Sequence, residues 1–562
     1  GNRYGYPPTW RAINNAHKSG AKLIVVDPRR TEVAEKADIW LQVRPGTDLA
    51  LLLAMINTVI AEKKYDEKFV GTWCHGFEAL SEHIKEYTPR WASAITWIPE
   101  DKIIAAARTY ADGPSASWSG VGIDHLPNCI STLQAKYILI ALCGNLDIPG
   151  GDLLPGPYYD AIVEQEEEMT DYVSAESKAK QLGSERFKLL SWPGYDLIQA
   201  SVKRHWGKPG ACAVDTAVAH APSLYRAIMT GKPYPVKALI TVASNPLITQ
   251  ANTTLVYQAL KQLDLYIVHD FFMTPSGQLA DYVLPAASWL ERPYLYNGFG
   301  FGKFLVASEE ALPPVSKREY ERKTDYDLWR TLGVRLGQDK YWPAKTLEEA
   351  YDHRLKPLGM SFRQFVKEKN GFDFPKVQYK KYEENGFGTL TGKVELFSTL
   401  FEKLGYSPLP VYQEPPESPF SQTSLTETYP LIFITGGRFD PYYASEHRQI
   451  STFRKRRPDP LVQVNPETAR SLGIQDGDWV WIETLRGRVK QKCIYFDGIS
   501  PKVIHAEYGW WYPEDKGEDP FLHGVWKSNI NVITDDDPDR CDLMSGGWPL
   551  RTGLCRIYPV AK

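Results

Sequence analysis

No Cys-x-x-Cys pair occurs in the 562 residues, which removes the usual ligand spacing for structural zinc or for an iron–sulfur cluster held by these residues. The seven cysteines, at 74, 129, 143, 212, 493, 541 and 555, are odd in number and irregularly spaced. They read as buried free thiols, which suit a reducing, cytoplasmic setting. A G-x-G-x-x-G fingerprint is also missing, so a nicotinamide dehydrogenase lacks its usual signature. Charge of one sign is scarce as well. Lys plus Arg number 65 against 68 Asp plus Glu, a net of −3, which supplies no field to attract a polyanion, and nucleic acid is excluded as an expected partner. The longest nearly apolar run, Leu49 to Ala61, is broken by Asn57 and Thr58 and falls short of the roughly 20 residues of a membrane helix. No charged and apolar leader pattern follows the first residue, so no targeting peptide is expected in these residues.

What is present is a globular composition, 43% apolar and 24% charged, long enough for about three domains. Residues 21–27, A-K-L-I-V-V-D, form an apolar run ending in an acid, the pattern of a parallel strand covered on both faces. A helix over Trp10 to Ser19 stopped by Gly20 precedes it, and a helix over Asp48 to Glu62 follows it. Helices over Asp101 to Tyr110 and Gln134 to Leu142, with a strand over Ser115 to Ile123, complete a first α/β unit, residues 1–155. K-A-L-I-T-V-A from Lys237, a helix over Thr254 to Leu263 and the strand L-Y-I-V-H-D ending at Asp270 open a second, residues 156–405. Six prolines between Tyr406 and Pro430 exclude a long helix or central strand and mark a linker over 406–430. Beyond it, alternating strands such as Trp479 to Thr484 and Val489 to Tyr495 predict a β-barrel over 431–562. The fold class is thus α/β, two doubly wound dinucleotide-binding units plus a C-terminal β-barrel.

Open parallel sheets bind ligands beyond the carboxyl ends of their strands, and that rule selects the candidate residues. In the first unit Asp27 ends a strand and Arg29 and Arg30 follow it. R-P-G-T-D, from Arg44 through Gly46 to Asp48, sets a turn at a helix N-terminus, where backbone N–H groups and a carboxylate meet phosphate or a purine edge. Asp124 and His125 stand after the predicted strand over 115–123 as an acid and imidazole suited to proton transfer. In the second unit Ser244, Asn245 and Asp270 occupy strand ends. G-T-L-T-G-K, Gly388 to Lys393, is one residue short of a phosphate loop and reads as a hairpin turn. The acidic run Glu164 to Glu168 and the basic run Arg454 to Arg457 read as solvated faces.

Taken in order, D-P-R-R-T at 27–31, A-D-I-W at 37–40, R-P-G-T-D at 44–48, G-N-L-D-I-P-G-G at 144–151 and A-D-Y-V-L-P at 280–285 resemble the molybdopterin oxidoreductases of the dimethyl sulfoxide reductase superfamily. Val464 to Val480 is similar to that family's C-terminal dinucleotide-binding barrel. P-Y-P-V-K-A at 233–238, M-T-P-S-G-Q-L-A-D-Y-V-L-P at 273–285 and W-L-E-R-P at 289–293 look most like its acetylene-hydratase branch, and dehydroxylases and thiosulfate-reductase-like members share parts of the pattern.

The resemblance implies a molybdenum or tungsten ion held by two molybdopterin guanine dinucleotides, acting on a small-molecule substrate. Asn2, Asp27, Arg29, Arg44, Gly46 and Asp48 would serve one nucleotide. Ser244, Asn245, Asp270 and Thr274 would serve the other, with Gly436, Arg438, His447 and Asn531 contributed by the barrel. Trp118 and Trp289 resemble members of an apolar ring around the substrate. The family's four-cysteine segment for a [4Fe-4S] cluster, and the protein ligand to the metal, match nothing in these residues. Both are expected outside them, so no metal ligand is assigned here, and an electron-transfer iron–sulfur subunit is an expected partner of a redox-active version. A cofactor-binding scaffold without activity is the remaining alternative.

Overall fold

The structure is a computed structural model that describes residues 7–154, 160–207, 210, 213–297, 304–312, 321–374 and 376–561; Asn2 and Cys212 lie outside them. The first unit opens with helix α1 (Pro7–Lys18) and strands β1 (Ile24–Val26) and β2 (Ile39–Leu41), paired in parallel. Helices α2 (Asp48–Ala61), α3 (Glu100–Ala111) and α4 (Cys129–Leu142) pack together. The reason is compositional: α2 is apolar nearly all round, so Leu49, Leu53 and Ile56 are all fully buried, as a helix enclosed by its neighbours requires.

The strand expected over Ser115 to Ile123 does not form. No strand among the described residues lies beside it, and the backbone N–H groups of Ser115 and Ser117 donate instead to Asn145 Oδ1 (3.1 Å) and the Asp152 carboxylate (2.9 Å).

The second unit contains α5 (Ala221–Thr230), β3 (Ala238–Val242), α6 (Thr253–Gln262), β4 (Leu265–Asp270) and β5 (Tyr282–Pro285). These three strands form one parallel sheet in the order β3–β4–β5. G-T-L-T-G-K is a tight loop closed by the Phe387 N–H donating to Gly392 O at 3.0 Å. It is no hairpin, because Val394–Glu395 after it pairs in parallel with Cys74–His75 of the first unit. Tyr382 and Phe387 likewise join the first unit's core.

Six strands close the barrel: β6 (Leu431–Gly437), β7 (Leu461–Val464), β8 (Trp479–Thr484), β9 (Gly487–Tyr495), β10 (Val503–Glu507) and β11 (Leu554–Pro559). Their order is β6–β10–β7–β9–β8–β11, with β11 returning to β6. Closure leaves no edge strand, and the alternation of β8, with Val480, Ile482 and Thr484 inward, fills the interior.

The proline-rich stretch works as a strap. Arg44, fully buried, donates to both carboxylate oxygens of Glu414 (2.6 and 2.8 Å) and to Ile95 O (2.6 Å). Pro415 lies over Gly46, whose φ is +85° and where an added Cβ would come within 2.8 Å of Pro415 Cγ. Removing one partner of a buried, bidentate ion pair leaves the other charge unpaired. Glu414→Ala is therefore expected to destabilise the protein by about 3 kcal/mol, read from the midpoint of chemical denaturation. Arg44→Met with Glu414→Leu should recover most of that loss.

Candidate functional site

The β1 strand ends at Asp27, where Pro28 forces a turn and the Asp27 Oδ1 accepts the Arg29 N–H at 2.8 Å. Trp40 Nε1–H donates to Asp27 O at 3.0 Å and fixes the strand end from β2. The barrel holds the same loop from the other side. Arg30 N–H donates to Gly498 O (2.7 Å), the Arg30 side chain pairs with Asp497 (2.9 Å), and the Arg29 guanidinium lies 5.7 Å from the Phe496 ring centroid. Only Arg30 of the two arginines is a surface ion pair; Arg29 has a buried Nε with no hydrogen-bond partner.

Asp27, Arg29, Gly46 and Asp48 line a cavity of about 1450 Å³ together with Trp118, Thr435, Gly436, His505 and Arg551. Its charged groups are partly exposed toward the cavity and otherwise enclosed by protein. Burial raises the Asp27 carboxyl, an effect that neighbouring Arg29 opposes, and lowers Arg29. Burial pushes Asp48 up to about 6, with a further increment from the charge of Asp27. Arg551 is lowered to about 10 by burial and by Arg438, and buried His505 is driven well below its ordinary value. Gly436, at φ +87°, packs against Arg551, whose guanidinium donates to Thr435 O: a Cβ at 436 would collide with the guanidinium.

Asp124 and His125 do not line this cavity, although Ile123 and Leu126 on either side of them do; they lie within electrostatic range of Arg551. Burial raises Asp124 while Arg551 opposes the rise. Burial, then Arg551 and Arg438, push His125 down to about 4, so its imidazole is neutral near pH 7. Arg438 is exposed and stacks on Tyr443 at 4.3 Å.

A second cluster forms where β3 and β4 end. Ala243, at φ +48°, turns the chain so that Ser244 and Asn245 sit at the sheet's edge. Asn245 is 5% exposed; its Oδ1 accepts from Ser276 Oγ (2.7 Å) and Ser276 N–H (3.3 Å), while its Nδ2 is buried without a partner. Thr274 Oγ1 accepts the Gly277 N–H at 3.2 Å. Burial raises Asp270, and Glu446 of the barrel's S-E-H loop adds to the rise, which places that loop and exposed His447 beside the cluster.

Three predicted residues stand elsewhere. The polar groups of Arg44 are spent on Glu414 and Ile95, as described. Asn531 Nδ2 donates to Ile248 O (2.8 Å) and its Oδ1 accepts from Thr534 (3.2 Å), so it pins the barrel to the turn after Ser244–Asn245. Trp289 is 66% exposed on the second unit, apart from Trp118, which lines the first cavity and is 54% exposed; neither indole is a core residue. Sequence reasoning missed Arg551 and His505. The second carried a signal, a histidine inside the apolar strand V-I-H-A-E, whereas Arg551 lies in a loop with no pattern around it.

A cavity lined by carboxylates has a pH signature. A carboxyl raised in the folded state holds its proton there more tightly than when unfolded, so stability falls as pH rises through the interval between the two values. For Asp48 that interval runs from 3.8 to about 6. Cofactor-free Asp48→Asn protein should be more stable than the parent at pH 7 by about 1 to 2 kcal/mol, after allowance for partial solvation, and equal to it at pH 4. Thermal melts at the two pH values check this.

Comparison with known proteins agrees with this geometry. Residues 7–335 match the Molybdopterin oxidoreductase family and residues 431–547 the Molydopterin dinucleotide binding domain. Acetylene hydratase of Syntrophotalea acetylenica is 38% identical over 533 residues, 93% of this chain and 72% of that protein. The thiosulfate reductase molybdopterin-containing subunit of Salmonella typhimurium is 28% identical, over 92% of this chain and 68% of that one. Dopamine dehydroxylase of Eggerthella lenta is 28% identical, but the chain spans only 52% of its length. The solved acetylene hydratase from Pelobacter acetylenicus superposes with a TM-score of 0.94 at 36% identity, covering 99% of this chain and 76% of that chain. With a matching profile over more than half its length and a relative this similar, the chain belongs to the molybdopterin oxidoreductase family, the dimethyl sulfoxide reductase superfamily of enzymes whose molybdopterin cofactor carries molybdenum or tungsten.

Proposed function

We propose that the chain binds two molybdopterin guanine dinucleotides, one in each α/β unit, and hydrates a small unsaturated substrate in the manner of acetylene hydratase. The observation that carries this reading is 38% identity to that enzyme over 93% of the chain. In this reading residues 1–155 and 156–405 take one nucleotide each, 406–430 straps the first unit, and 431–562 covers both. The residues fit such a ligand. Guanine offers two adjacent donors, N1–H and the 2-amino group, which a carboxylate accepts together; Asp27 and Asp270 each accept one neighbouring backbone N–H, and with Asp48 they retain acceptor capacity for more. Buried Arg29 Nε and Asn245 Nδ2 are unpaired donors suited to phosphate or carbonyl oxygen. Gly436 gives the backbone access that a side chain would close, with Arg438 beside it, and Thr274 and His447 flank the second nucleotide. Arg44 and Asn531 act by holding neighbouring loops.

Once bound, the cofactor supplies a Lewis-acidic metal that polarises substrate or water. The protein's share is exclusion and proton handling. Trp118 shields the cavity from water. The neutral His125 ring carries a proton on one nitrogen and a lone pair on the other, so it offers both a donor and an acceptor near pH 7, and the Asp124 carboxyl stands next to it in the chain. Trp289 belongs to the substrate wall in this reading, as the resemblance implies.

A redox reading is favoured by the 28% identity to a thiosulfate reductase subunit and to dopamine dehydroxylase; it adds a [4Fe-4S] cluster and an electron-accepting or electron-donating subunit. Purified holoenzyme is expected to release two guanine nucleotides per chain on acid hydrolysis and to convert acetylene without consuming a reduced dye beyond activation. Release of adenine nucleotide overturns the assignment, and dye oxidation without acetylene turnover selects the redox reading. Gly436→Ala should lower the retained pterin several-fold, measured by fluorescence of the oxidised pterin, while far-ultraviolet circular dichroism stays that of the parent.

A further inference from the structure

A second, smaller cavity of about 270 Å³ shares the wall formed by Pro28 and Val43 with the large one. It lies between the first unit and the barrel. Trp40, Trp97, Pro99 and Val503 complete most of its apolar walls, and Gln42, Lys102 and Ser500 are its polar ones. A nucleotide in the large cavity makes no use of this space.

Its walls specify a chemistry. Trp97 follows the helix Pro89–Thr96 at φ +64°, in the left-handed position that glycine usually takes at a helix end. A bulky residue is strained there, and such strain persists where packing over-determines it, often at ligand clamps; the indole packs against the barrel cluster of Ile432, Ile499 and Val503. Two indoles and two proline rings offer flat apolar faces to a ring between them. The charge nearby is positive. Lys102 is exposed, and exposed Lys502 places its Nζ 5.3 Å from the Trp97 ring centroid; among the described residues neither ammonium has a carboxylate partner. Ser500 Oγ accepts the Lys502 N–H at 3.3 Å, which leaves its O–H to donate. A cavity of about 150 Å³ admits benzene, so this one has room for a single ring with a small anionic group and none for a nucleotide.

We propose that this smaller cavity is an effector site for a small aromatic carboxylate, its ring between Trp40 and Trp97 and its carboxylate toward Lys102 and Ser500. The site is wired to the loop that lines the large cavity. Trp40 Nε1–H donates to Asp27 O (3.0 Å) and Gln42 Nε2–H to Pro28 O (3.2 Å), so two of its walls hold the backbone of Asp27–Arg29 and a third, Pro28, belongs to it. A ring packed on Trp40 and Pro28 keeps those bonds closed, and the loop opens less often. Ligand and loop thereby stabilise each other by the same factor. The inference does not depend on what the large cavity binds.

Fluorine NMR titration of the purified protein with 4-fluorobenzoate tests it, with saturation expected at a Kd below about 1 mM. The ring without the charge, 4-fluorobenzyl alcohol, and the charge without the ring, fluoroacetate, should each bind at least about tenfold more weakly. Lys102→Glu reverses the charge at an exposed position; it should weaken 4-fluorobenzoate by about tenfold or more and leave the alcohol and the far-ultraviolet circular dichroism as in the parent. Hydrogen exchange reads the coupling. Saturation with 4-fluorobenzoate should slow the amides of Arg29 and Arg30, which donate to Asp27 Oδ1 and Gly498 O, several-fold. Failure to saturate by about 10 mM, equal affinity for acid and alcohol, or parental affinity in Lys102→Glu overturns the site. Binding that leaves exchange at Arg29 and Arg30 unchanged overturns its link to the loop.

Discussion

Four charged side chains, Asp27, Arg29, Asp48 and Arg551, are half-buried around one cavity, and no direct ion pair joins them. Much of the rest of the architecture follows from keeping them there. A protein interior does not tolerate unpaired charge cheaply, and the carboxyls respond by rising and the guanidiniums by falling. Such an arrangement persists only if the surrounding structure holds it by force of packing elsewhere. The first unit's helical core and the closed barrel supply that packing, and each contributes one side of the cavity.

The units are locked to one another by ion pairs of the opposite character, buried and well matched. Arg44 and Glu414 bind the strap to the first unit. Glu417, from the same strap, receives both Arg486 (2.5 Å) and Arg540 (2.6 Å) of the barrel, and Asp535 shares the same two arginines (2.6 and 2.9 Å). Arg226 on α5 completes the series with Asp536 at 2.7 Å. Paired charges thus stitch the first unit, the strap, the barrel and the second unit together, while unpaired ones line the space where the units meet. The strap could not do this as a helix. Its prolines keep it extended, so that Glu414 and Glu417 reach different partners.

Periodicity and strand-end chemistry carried much of this into the sequence. The apolar run ending at Asp27, the helix starting at Asp48 and the alternation in β8 and β9 are local patterns, and each forms where its residues predict. The stretch over 115–123 failed for a non-local reason: a strand exists only with a neighbour, and no strand among the described residues pairs with it. G-T-L-T-G-K misled in the same way, because the strand after it pairs with Cys74–His75, more than 300 positions upstream. Arg44 reads as a ligand-binding arginine in its motif, and only the position of Glu414, 370 residues away, shows where its hydrogen bonds go. Arg551 is invisible for the mirror reason: nothing near it in sequence announces that β6 will bring Gly436 against it.

The two strand-end clusters are not electrostatic copies of each other. The first gathers two carboxyls and two guanidiniums. The second has a single carboxyl, Asp270, among an amide and hydroxyls; Asn245 Oδ1 accepts from Ser276, and Asp270 Oδ1 accepts the Phe271 N–H at 2.6 Å. When nothing is bound, the second bears the unmet Nδ2 of Asn245 and the desolvation of one carboxyl, Asp270. The first bears the desolvation of four charges. The first cluster therefore sets the stability of the unliganded protein, and a ligand satisfying both adds more to folding through the first than through the second.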